Sequence, residues 1–308
     1  MVEHAHNPSG ANEVEKAEVF ISMVVPAYNE EDRLVGMLEE AVNFLDSKYL
    51  SSEISVDSRL RNRKPAQNGT TQIPSAESST DASSKAKGWE ILIVSDGSTD
   101  TTVRVALDFA KKLKHRDSSI RVITLSHNRG KGGAVTHGLR HVRGEYVGFA
   151  DADGASKFAD IQKLITACED AEDKQGRALA VGSRAHLVGS ESVVKRSKLR
   201  NFLMHSFHLL LRLLTPPATS RIGDTQCGFK LFSRAALPFI VPHMHSEGWI
   251  FDVEMLMLAE RAGIPMVEVP VGWHEVKGSK LNVVWDSLGM AWGLAILRLA
   301  WAMGVYVT

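Results

Sequence analysis

Four mostly apolar runs, each followed by a polar loop, constrain the fold of this chain most strongly. The runs are Val19 to Val25, Glu90 to Ser95, Arg121 to Leu125 and Tyr146 to Ala150. Helical spacing of apolar residues separates them, as at Leu34, Leu38, Ala41 and Leu45. Strands that alternate with helices form a mostly parallel sheet covered on both faces. The sequence therefore predicts an α/β fold with a doubly wound, mostly parallel sheet and flanking helices.

The second half of the chain continues this pattern. Helices are predicted at Thr101 to Lys114, at Ile161 to Glu172 and after Asp252, and short strands at Leu179 to Val181 and Met266 to Val271. Sheets of this kind bind ligands beyond the carboxyl ends of their strands. We therefore look for functional residues in the loops that follow the strands.

Two aspartates one residue apart, Asp151 and Asp153, directly follow the run that ends at Ala150. Alternate residues of a strand point to the same face, so both carboxylates can approach one cation. Mg²⁺ is typically held by one or two carboxylates and completes its coordination with water and substrate phosphates. A chance Asp- and Gly-rich surface turn is the alternative. The position after a buried strand favours a catalytic site in which both aspartates bind Mg²⁺ or Mn²⁺ and face a diphosphate.

Two more polar loops fall at the same predicted edge. Asp96 ends the second strand, where it can accept hydrogen bonds from a ribose or a base; a turn or a helix cap is the alternative. The loop from Asn128 to Gly133 would let backbone N–H groups and Lys131 approach a phosphate. Its spacing fits neither the P-loop nor the dinucleotide motif. Because the loops share one edge, we predict a single active site.

The composition excludes some classes of function. Thirty-six basic and thirty-six acidic residues among 308 give a formal net charge of zero, which offers no support for a nucleic-acid partner. Cys168 and Cys227 lack the spacing of a disulfide framework or a zinc site and indicate a reducing compartment. We therefore expect the catalytic face to be cytosolic.

Three parts are predicted along the chain. Residues 1–18 form a polar tail without the apolar segment of a secretory signal. Residues 19–280 form the catalytic domain, in which a Ser-rich insert at 51–87 has too few apolar residues to fold. Residues 281–308 form an apolar, membrane-associated helix at the C-terminal end.

The C-terminal stretch from Ser287 to Val307 is apolar over roughly the 20 residues that cross a bilayer. However, it contains three glycines and Arg298, and a charge at the bilayer centre is costly. Trp285, Trp292 and Trp301 favour the depth of the lipid headgroups. We predict a helix that lies in the membrane interface, with a true span and ordinary core packing as alternatives.

A second segment has the composition of a membrane-surface helix. A basic cluster from Lys195 to Arg200 runs into an apolar segment that ends at Leu214. This arrangement suits an anionic membrane surface. A buried helix with a solvated charged end is the alternative.

Four motifs carry a resemblance to a known family: Arg129 to Ala134, Ala150 to Ala155, Gly182 to Leu187 and Asp224 to Phe232. In this order they resemble glycosyltransferase family 2, the inverting nucleotide-sugar enzymes with the GT-A fold. The resemblance covers about Ser22 to Lys280, apart from the Ser-rich insert. It implies that UDP-glucose is the donor and dolichyl phosphate the acceptor. The product would be dolichyl β-D-glucosyl phosphate, made for N-glycan precursor assembly at the cytosolic face of the endoplasmic reticulum membrane.

Two alternatives remain open beside this interpretation. One is transfer of mannose from GDP-mannose, or of another sugar to a different acceptor, within the same fold. The other is a membrane-peripheral scaffold without catalysis. The presence of Asp96, Asp151 and Asp153 argues against the scaffold.

The resemblance also implies roles for residues of the nucleotide pocket. It implies that Pro26, Tyr28 and Glu30 line this pocket and that Asp96 contacts the uridine. Of the two aspartates at the metal, it implies that Asp153 is the more direct ligand. We expect Lys277 and Lys280 to clamp the diphosphate when their loop closes.

The sequence departs from the family pattern in two places. Ser95 stands where many relatives have a second aspartate before Asp96. Such enzymes also usually begin with a transmembrane helix, which this sequence lacks. We therefore expect the two apolar helices to provide the anchoring, or the sequence to be a shortened product.

The acceptor determines what the remaining polar residues must do. A phosphate monoester has a second pKa of about 6, so it is largely dianionic and needs cations more than a general base. Candidate cations are Arg184, Arg196, Arg200 and Lys230. In-line attack opposite the UDP would convert α-glucose to a β-linked product. Asp224 and Asp252 are candidate orienting or basic groups, with structural hydrogen bonding as the alternative.

Overall fold

A computed structural model describes residues 16–50, 87–113, 118–187, 206–207, 209–276 and 283–306. Its centre is a seven-stranded sheet with the order β3-β2-β1-β4-β6-β5-β7. The strands are β1 (Val19–Ala27), β2 (Trp89–Ser95), β3 (Ser118–Thr124), β4 (Gly144–Ala150), β5 (Leu179–Ser183), β6 (Phe229–Ser233) and β7 (Met266–Pro270). The helices are α1 (Leu34–Leu45), α2 (Thr102–Lys112), α3 (Gly130–Leu139), α4 (Ile161–Ala171), α5 (Pro217–Arg221), α6 (Phe251–Arg261) and α7 (Val283–Ala302).

The sheet is mostly parallel, as the sequence predicts. Strand β1 pairs in parallel with β2 and β4, β2 with β3, and β5 with β7. Only β6 runs antiparallel, between β4 and β5. The predicted strands and helices from β1 to α4, and β7, agree with the structure to within a few residues.

The sequence pattern did not predict strand β6. It has five residues, all buried, and one of them is Lys230. A lysine interrupts the apolar run from Phe229 to Phe232, so the segment lacks the continuous or alternating pattern that marks a strand. The lysine is accommodated only because a carboxylate from another element lies beside it, as described below.

The glycine-rich segment after β3 also differs from the prediction. Helix α3 begins at Gly130, so Lys131 and the next two glycines form its first turn and not a loop. A Cβ atom at Gly132 would lie 2.5 Å from the carbonyl oxygen of Ser246. Gly133 donates its N–H to the Glu247 carbonyl at 3.2 Å. The glycines therefore allow the segment around Ser246 to cross closely over the helix.

Apolar layers cover both faces of the sheet, because neighbouring residues of each strand point to opposite sides. In β1, Val24 packs into the layer that contains α3 and α6, whereas Met23 and Val25 pack into the layer that contains α1 and α4. The two layers bury the strands completely at their centres, as expected for a parallel sheet.

A buried carboxylate joins the strands near their amino ends. Glu90 is fully buried and accepts hydrogen bonds from the Ser22 hydroxyl at 2.6 Å, Arg121 Nη1 at 3.1 Å and Arg143 Nε at 2.9 Å. Burial alone would raise the pKa of Glu90, but these hydrogen bonds outweigh it and hold the pKa below its ordinary value. Glu90 thus ties β1, β2 and β3 to the chain that enters β4, at the end opposite the predicted site.

Helix α7 has 20 residues, with Leu294 and Leu297 buried and Leu288, Trp292 and Leu299 exposed. Within the described part of the chain, no helix combines the length and the hydropathy that a membrane span requires. Most of the predicted tail, the Ser-rich insert at 51–86, the basic cluster and the side chain of Trp285 lie outside the described residues.

Replacing Glu90 with Gln should destabilise the fold. The substitution removes a buried negative charge from two arginines, and breaking a buried ion pair costs on the order of 3 kcal/mol. The pKa of Glu90 is lower in the folded state than in the unfolded state. Its contribution to the free energy of unfolding is therefore complete above the ordinary carboxyl pKa and is lost as the pH falls through the folded-state pKa. At pH 7, the urea midpoint of Glu90→Gln should be lower than that of the unaltered chain. The midpoint of the variant should also fall less as the pH is lowered.

The matched control for this experiment is Asp108→Asn. Asp108 lies on the surface of α2 with Lys111 Nζ 3.4 Å away, and exposed pairs of this kind contribute little. We expect its urea midpoint to equal that of the unaltered chain. Equal midpoints for Glu90→Gln and Asp108→Asn would contradict the role assigned to Glu90.

Candidate active site

The predicted polar residues after β1, β2 and β4 lie at the carboxyl edge of the sheet. Ala27 at the end of β1 is level with Ser95 at the end of β2, and the Asp96 N–H donates to the Ala27 carbonyl at 2.9 Å. Strand β4 pairs with the other side of β1 and ends at Ala150, immediately before Asp151. This edge is the place where ligands of open parallel sheets bind.

The loop after β1 is held against the loop after β2. Asn29 has a φ of 54°, a left-handed conformation that asparagine tolerates better than most residues. Its side-chain oxygen accepts the Thr99 N–H at 2.8 Å, and the Glu30 N–H donates to Thr102 Oγ1 at 2.8 Å. Tyr28, two residues after Pro26 at the same edge, is 40% exposed.

Asp96 is buried and connects the end of β2 to the start of α3. Its Oδ1 accepts the Arg129 N–H at 2.7 Å, and its carbonyl oxygen accepts the Asn128 side-chain amide at 3.2 Å. Burial raises the pKa of Asp96, while the N–H groups of Arg129 and Gly130 oppose that rise. The Arg129 N–H, directly before α3, therefore occupies one oxygen of the carboxylate, and the N-cap of α2 is Thr101 and not Asp96.

Lys131 and Asp151 form an ion pair at the centre of the edge. Lys131 Nζ lies 2.6 Å from Asp151 Oδ1, and the two side chains are 15% and 35% exposed. Burial alone would lower the pKa of Lys131, but attraction to Asp151 and Asp252 outweighs it and raises the pKa. The ammonium group is thus held charged against the first aspartate of the pair.

Asp153 lies beside a second cation. Its Oδ1 accepts the Ala155 N–H at 3.0 Å, and its Oδ2 is 4.0 Å from Arg33 Nη1. Arg33 also binds the Glu30 carboxylate through Nε at 2.7 Å and Nη2 at 2.6 Å. Each aspartate of the motif therefore has a positive group close to it.

The donor set of the two aspartates fits a hard divalent cation. Both supply carboxylate oxygens, both are partly exposed, and Asp151 already binds the positive charge of Lys131. Among the described residues, no three His, Cys, Asp or Glu side chains converge as a complete protein metal site. Two carboxylates are nevertheless sufficient for Mg²⁺ when phosphate oxygens and water complete the shell.

Gly228 makes room for the Asp151 carboxylate. A Cβ atom at this position would overlap the Asp151 oxygens and lie 2.5 Å from Asp151 Cγ. Gly228 immediately precedes β6, which is antiparallel to β4 and pairs Phe229 with Ala150. The insertion of β6 therefore places a residue without a side chain directly against the first aspartate.

Arg184 and Asp224 form a bidentate ion pair near this carboxylate. Arg184 Nε lies 2.7 Å from Asp224 Oδ2, and Nη2 lies 2.9 Å from Oδ1. Burial alone would raise the pKa of Asp224, but the bonds from Arg184 hold it below its ordinary range. Asp224 therefore orients Arg184, which remains 34% exposed and lies over the Trp273 ring at 5.9 Å.

Lys230 is placed differently from the sequence expectation. It is fully buried, forms a short ion pair with Asp252 and donates to the Cys227 carbonyl at 2.8 Å. Burial raises the pKa of Asp252, and Lys230 opposes that rise. A lysine enclosed in this way does not reach an acceptor phosphate, so its predicted role is not consistent with its position. The remaining predicted cations, Arg196, Arg200, Lys277 and Lys280, lie outside the described residues.

Sequence reasoning missed three residues at this edge: Arg33, Gly228 and Trp249. Arg33 follows the acidic loop after β1, so its place at the carboxyl edge could have been deduced from the strand order. Trp249 lies with its ring centroid 5.9 Å from Lys131 Nζ. No local pattern reveals this contact, because 118 positions separate the two residues.

Comparison with known proteins identifies the class of this fold. A family model described as glycosyl transferase family 2 matches residues 76–238. Glucosyl-3-phosphoglycerate synthase from Mycobacterium tuberculosis superposes with a TM-score of 0.52 at 17% identity, covering 92% of this chain and 78% of that chain. A second mycobacterial structure gives 0.55 at 18% identity, covering 92% and 74%. The chain belongs to glycosyl transferase family 2, and the predicted GT-A fold is confirmed.

Curated relatives narrow the family further. Dolichyl-phosphate beta-glucosyltransferase of Saccharomyces cerevisiae is 44% identical, with 94% of this chain and 77% of the relative covered. The proteins of the same name from Drosophila melanogaster and Homo sapiens are 41% and 39% identical, each with 93% of this chain and 76% and 77% of the relative covered. Within family 2, the chain belongs with the dolichyl-phosphate β-glucosyltransferases.

Replacing Gly228 with Ala should impair the enzyme without unfolding it. The added methyl group must displace the Asp151 carboxylate, which is partly exposed and would have to turn away from its position beside Lys131. Misplacing a reacting group by about 1 Å can cost roughly 100-fold in rate. We expect the glycosyl-transfer rate to fall at least tenfold at an unchanged melting temperature. Gly36→Ala is the control, because a Cβ there meets no atom within 4 Å; equal rates for the two variants would refute the positioning role.

Replacing Lys131 with Gln should strengthen metal binding in the absence of donor. The substitution removes the ammonium that competes for Asp151, and a partly exposed pair is worth on the order of 1 kcal/mol, or several-fold in affinity. Titration of the full chain with Mn²⁺, followed by calorimetry, measures this effect. Lys111→Gln, a surface lysine of α2, should leave the affinity unchanged. Weaker Mn²⁺ binding by Lys131→Gln than by the unaltered chain would show that Lys131 does not compete with the metal for Asp151.

Proposed function

We propose that this chain transfers glucose from UDP-glucose to dolichyl phosphate with inversion, giving dolichyl β-D-glucosyl phosphate for N-glycan precursor assembly. The observation that carries the proposal is identity of 39–44% to proteins named for this activity, over more than nine-tenths of the chain. The placement of Asp151 and Asp153 at the ligand-binding edge of the sheet supports it independently. The named relatives favour glucose over mannose.

The nucleotide of the donor binds beside the loops that follow β1 and β2. The exposed Tyr28 ring offers a face on which the uracil can stack, in the pocket that Pro26 and Glu30 also line. Asp96 recognises the uridine from the end of β2. Structures of the Mycobacterium tuberculosis synthase with UDP, and with UDP-glucose and Mn²⁺, support a nucleotide-sugar site in this fold.

Asp151 and Asp153 would hold Mg²⁺ or Mn²⁺ together with the sugar diphosphate, and Asp153 would be the more direct ligand. When bound, the cation supplies positive charge that stabilises the leaving diphosphate. The synthase from Mycobacterium tuberculosis has been crystallised with Mn²⁺ and with Mg²⁺. Lys131 leaves Asp151 on binding and turns its charge towards the phosphates, while Arg33 remains beside Asp153.

The acceptor phosphate is positioned by Arg184. A guanidinium has about five N–H donors, so the two bonds to Asp224 fix its orientation and leave donors for a phosphate. The dianionic phosphate oxygen attacks the anomeric carbon from the side opposite the diphosphate, and no general base has to remove a proton. Asp224 and Asp252 are positioning groups in this scheme, since each is engaged by a cation.

An apolar surface suits a chain that works on a lipid. Trp292 and Leu299 are exposed on α7, Met303 is exposed directly after it, and Leu209 and Leu213 are exposed before α5. Exposed apolar clusters of this kind bind partners or membranes. These residues rest on the cytosolic face of the endoplasmic reticulum membrane in the proposal, where Arg196 and Arg200 would meet anionic lipid or the acceptor phosphate.

A transfer assay tests donor, acceptor and metal together. The full chain in detergent is given dolichyl phosphate and either UDP-glucose or GDP-mannose, with and without Mg²⁺ or Mn²⁺. We expect metal-dependent transfer only from UDP-glucose, and a loss of at least 100-fold in Asp153→Ala, because the diphosphate loses its cation. Asp170→Ala, an exposed aspartate of α4, serves as the control.

Three results would contradict parts of the proposal. Transfer from GDP-mannose would contradict the assignment of UDP-glucose as the donor but would leave the fold and the site unchanged. Full activity in a folded Asp153→Ala variant would refute the metal assignment. If the unaltered chain transfers sugar from neither donor, the assignment of dolichyl phosphate as the acceptor would be refuted.

A further inference from the structure

A cavity of about 510 Å³ lies between α7 and the segment that precedes α6. Its volume falls within the roughly 300–1,000 Å³ that is usual for small-molecule sites. The wall on the α6 side contains Trp249 and Ile250, and the α7 wall contains Gly289, Met290, Gly293 and Leu297. We name this cavity the α7 groove.

The α7 groove reaches the active site at Trp249. The ring centroid of Trp249 is 5.9 Å from Lys131 Nζ, and Lys131 Nζ is 2.6 Å from Asp151 Oδ1. On the other wall, Met290 contacts the Gln226 amide. Gln226 belongs to the turn between Asp224 and Gly228, which carries the partner of Arg184. Two residues that line the groove, Trp249 and Met290, therefore adjoin the elements that surround the proposed position of the acceptor phosphate.

Both walls are held in place by one buried carboxylate. Glu254, which is fully buried on α6, accepts the N–H groups of His245 at 2.9 Å and Ser246 at 2.8 Å. It also accepts a short hydrogen bond from the hydroxyl of Tyr306, which follows α7. The Trp301 ring stacks on Tyr306 with centroids 5.0 Å apart. The groove is thus preformed, and these polar groups of its lining are already bonded to Glu254.

Two glycines of α7 determine the shape of the groove. At Gly293 a Cβ would lie 3.1 Å from Ile250 Cγ2, so the helix and the opposite wall approach closely there. At Gly289, one turn earlier, a Cβ would meet no atom within 4 Å. The groove is therefore narrow at Gly293 and open at Gly289.

We propose that the α7 groove binds the first isoprene units of the acceptor, the part of the hydrocarbon chain next to the phosphate. This inference rests on the proposed function and adds a subsite to it. The occupant must be mainly apolar, because most of the lining is apolar, and it must continue from a phosphate, because the groove opens beside Lys131 and the turn that holds Arg184. A linear isoprenoid attached to a phosphate meets both requirements.

Filling the groove tests the proposal. Gly289→Leu places a side chain in open space within the groove, and Ala302→Leu adds a similar side chain to an exposed position of the same helix outside it. The full chain in detergent is assayed with dolichyl phosphate and UDP-glucose. For Gly289→Leu we expect the KM for dolichyl phosphate to rise at least tenfold, with the KM for UDP-glucose and the melting temperature unchanged. Ala302→Leu should match the unaltered chain.

A second pair of variants covers the case in which Gly289→Leu fails to fold. Val305 is 57% exposed and lines the groove, whereas Ala302 is exposed and does not. Val305→Asp puts a charge in the path of the isoprenoid and should raise the KM for dolichyl phosphate. Ala302→Asp is the control. An unchanged KM in the folded Gly289→Leu or Val305→Asp variant would overturn the proposal.

Direct binding separates this proposal from the proposed function. If the unaltered chain transfers no glucose, the proposed function fails, and binding of dolichyl phosphate to the detergent-solubilised chain is measured instead. At least tenfold weaker binding by Gly289→Leu than by Ala302→Leu would still support the groove. Equal binding by these variants, or no binding by the unaltered chain, would overturn it.

Discussion

The buried ion pair between Lys230 and Asp252 is the interaction on which the arrangement of this site depends. Both side chains are removed from water, so neither charge is tolerated without the other. Lys230 also binds the Cys227 carbonyl and thereby fixes the turn before β6. That turn presents Gly228 to Asp151 and Asp224 to Arg184. A buried pair thus determines where Asp151 and Arg184 lie, the two groups to which the proposed function assigns the metal–diphosphate and the acceptor phosphate.

The charges above this pair are arranged in advance for an anionic ligand. Lys131, Arg33 and Arg184 each have a carboxylate close by, so each cation of the site is paired with a negative group. In the proposed function, a metal–diphosphate would bring both signs of charge and could exchange partners with these pairs. Groups that are already oriented cost little reorganisation when charge develops on the leaving diphosphate. The buried pair beneath them keeps that orientation fixed.

The sequence predicted the parts of the site that depend on local pattern. The apolar run before Asp151 and the alternation of strands and helices place three polar loops at one edge, and the structure has them there. Strand β6 could not be predicted, because a lysine at position 230 suggests an exposed segment and not a buried strand. Lys230 is buried only because Asp252, 22 positions later, lies beside it. The contact between Arg184 and Asp224 likewise joins segments 40 positions apart. The roles assigned to Arg196, Arg200, Lys277 and Lys280 stay predictions.

The glycines show why composition misleads when packing is unknown. Those around Lys131 suggested a phosphate loop, yet Gly130 and Gly132 allow the chain at Ser246 and Glu247 to cross α3. Those of α7 counted against a membrane span by lowering its hydropathy.

In the structure, α7 has two different faces, and its glycines have a positive role. Leu294 and Leu297 are buried against the core, whereas Trp292 and Leu299 point outward. Gly289 and Gly293 lie along the groove between the helix and the segment at Trp249. A helix with larger residues at these two positions would be more apolar but would close the groove. The same substitution that makes the helix a better membrane segment would therefore remove the cavity beside the active site.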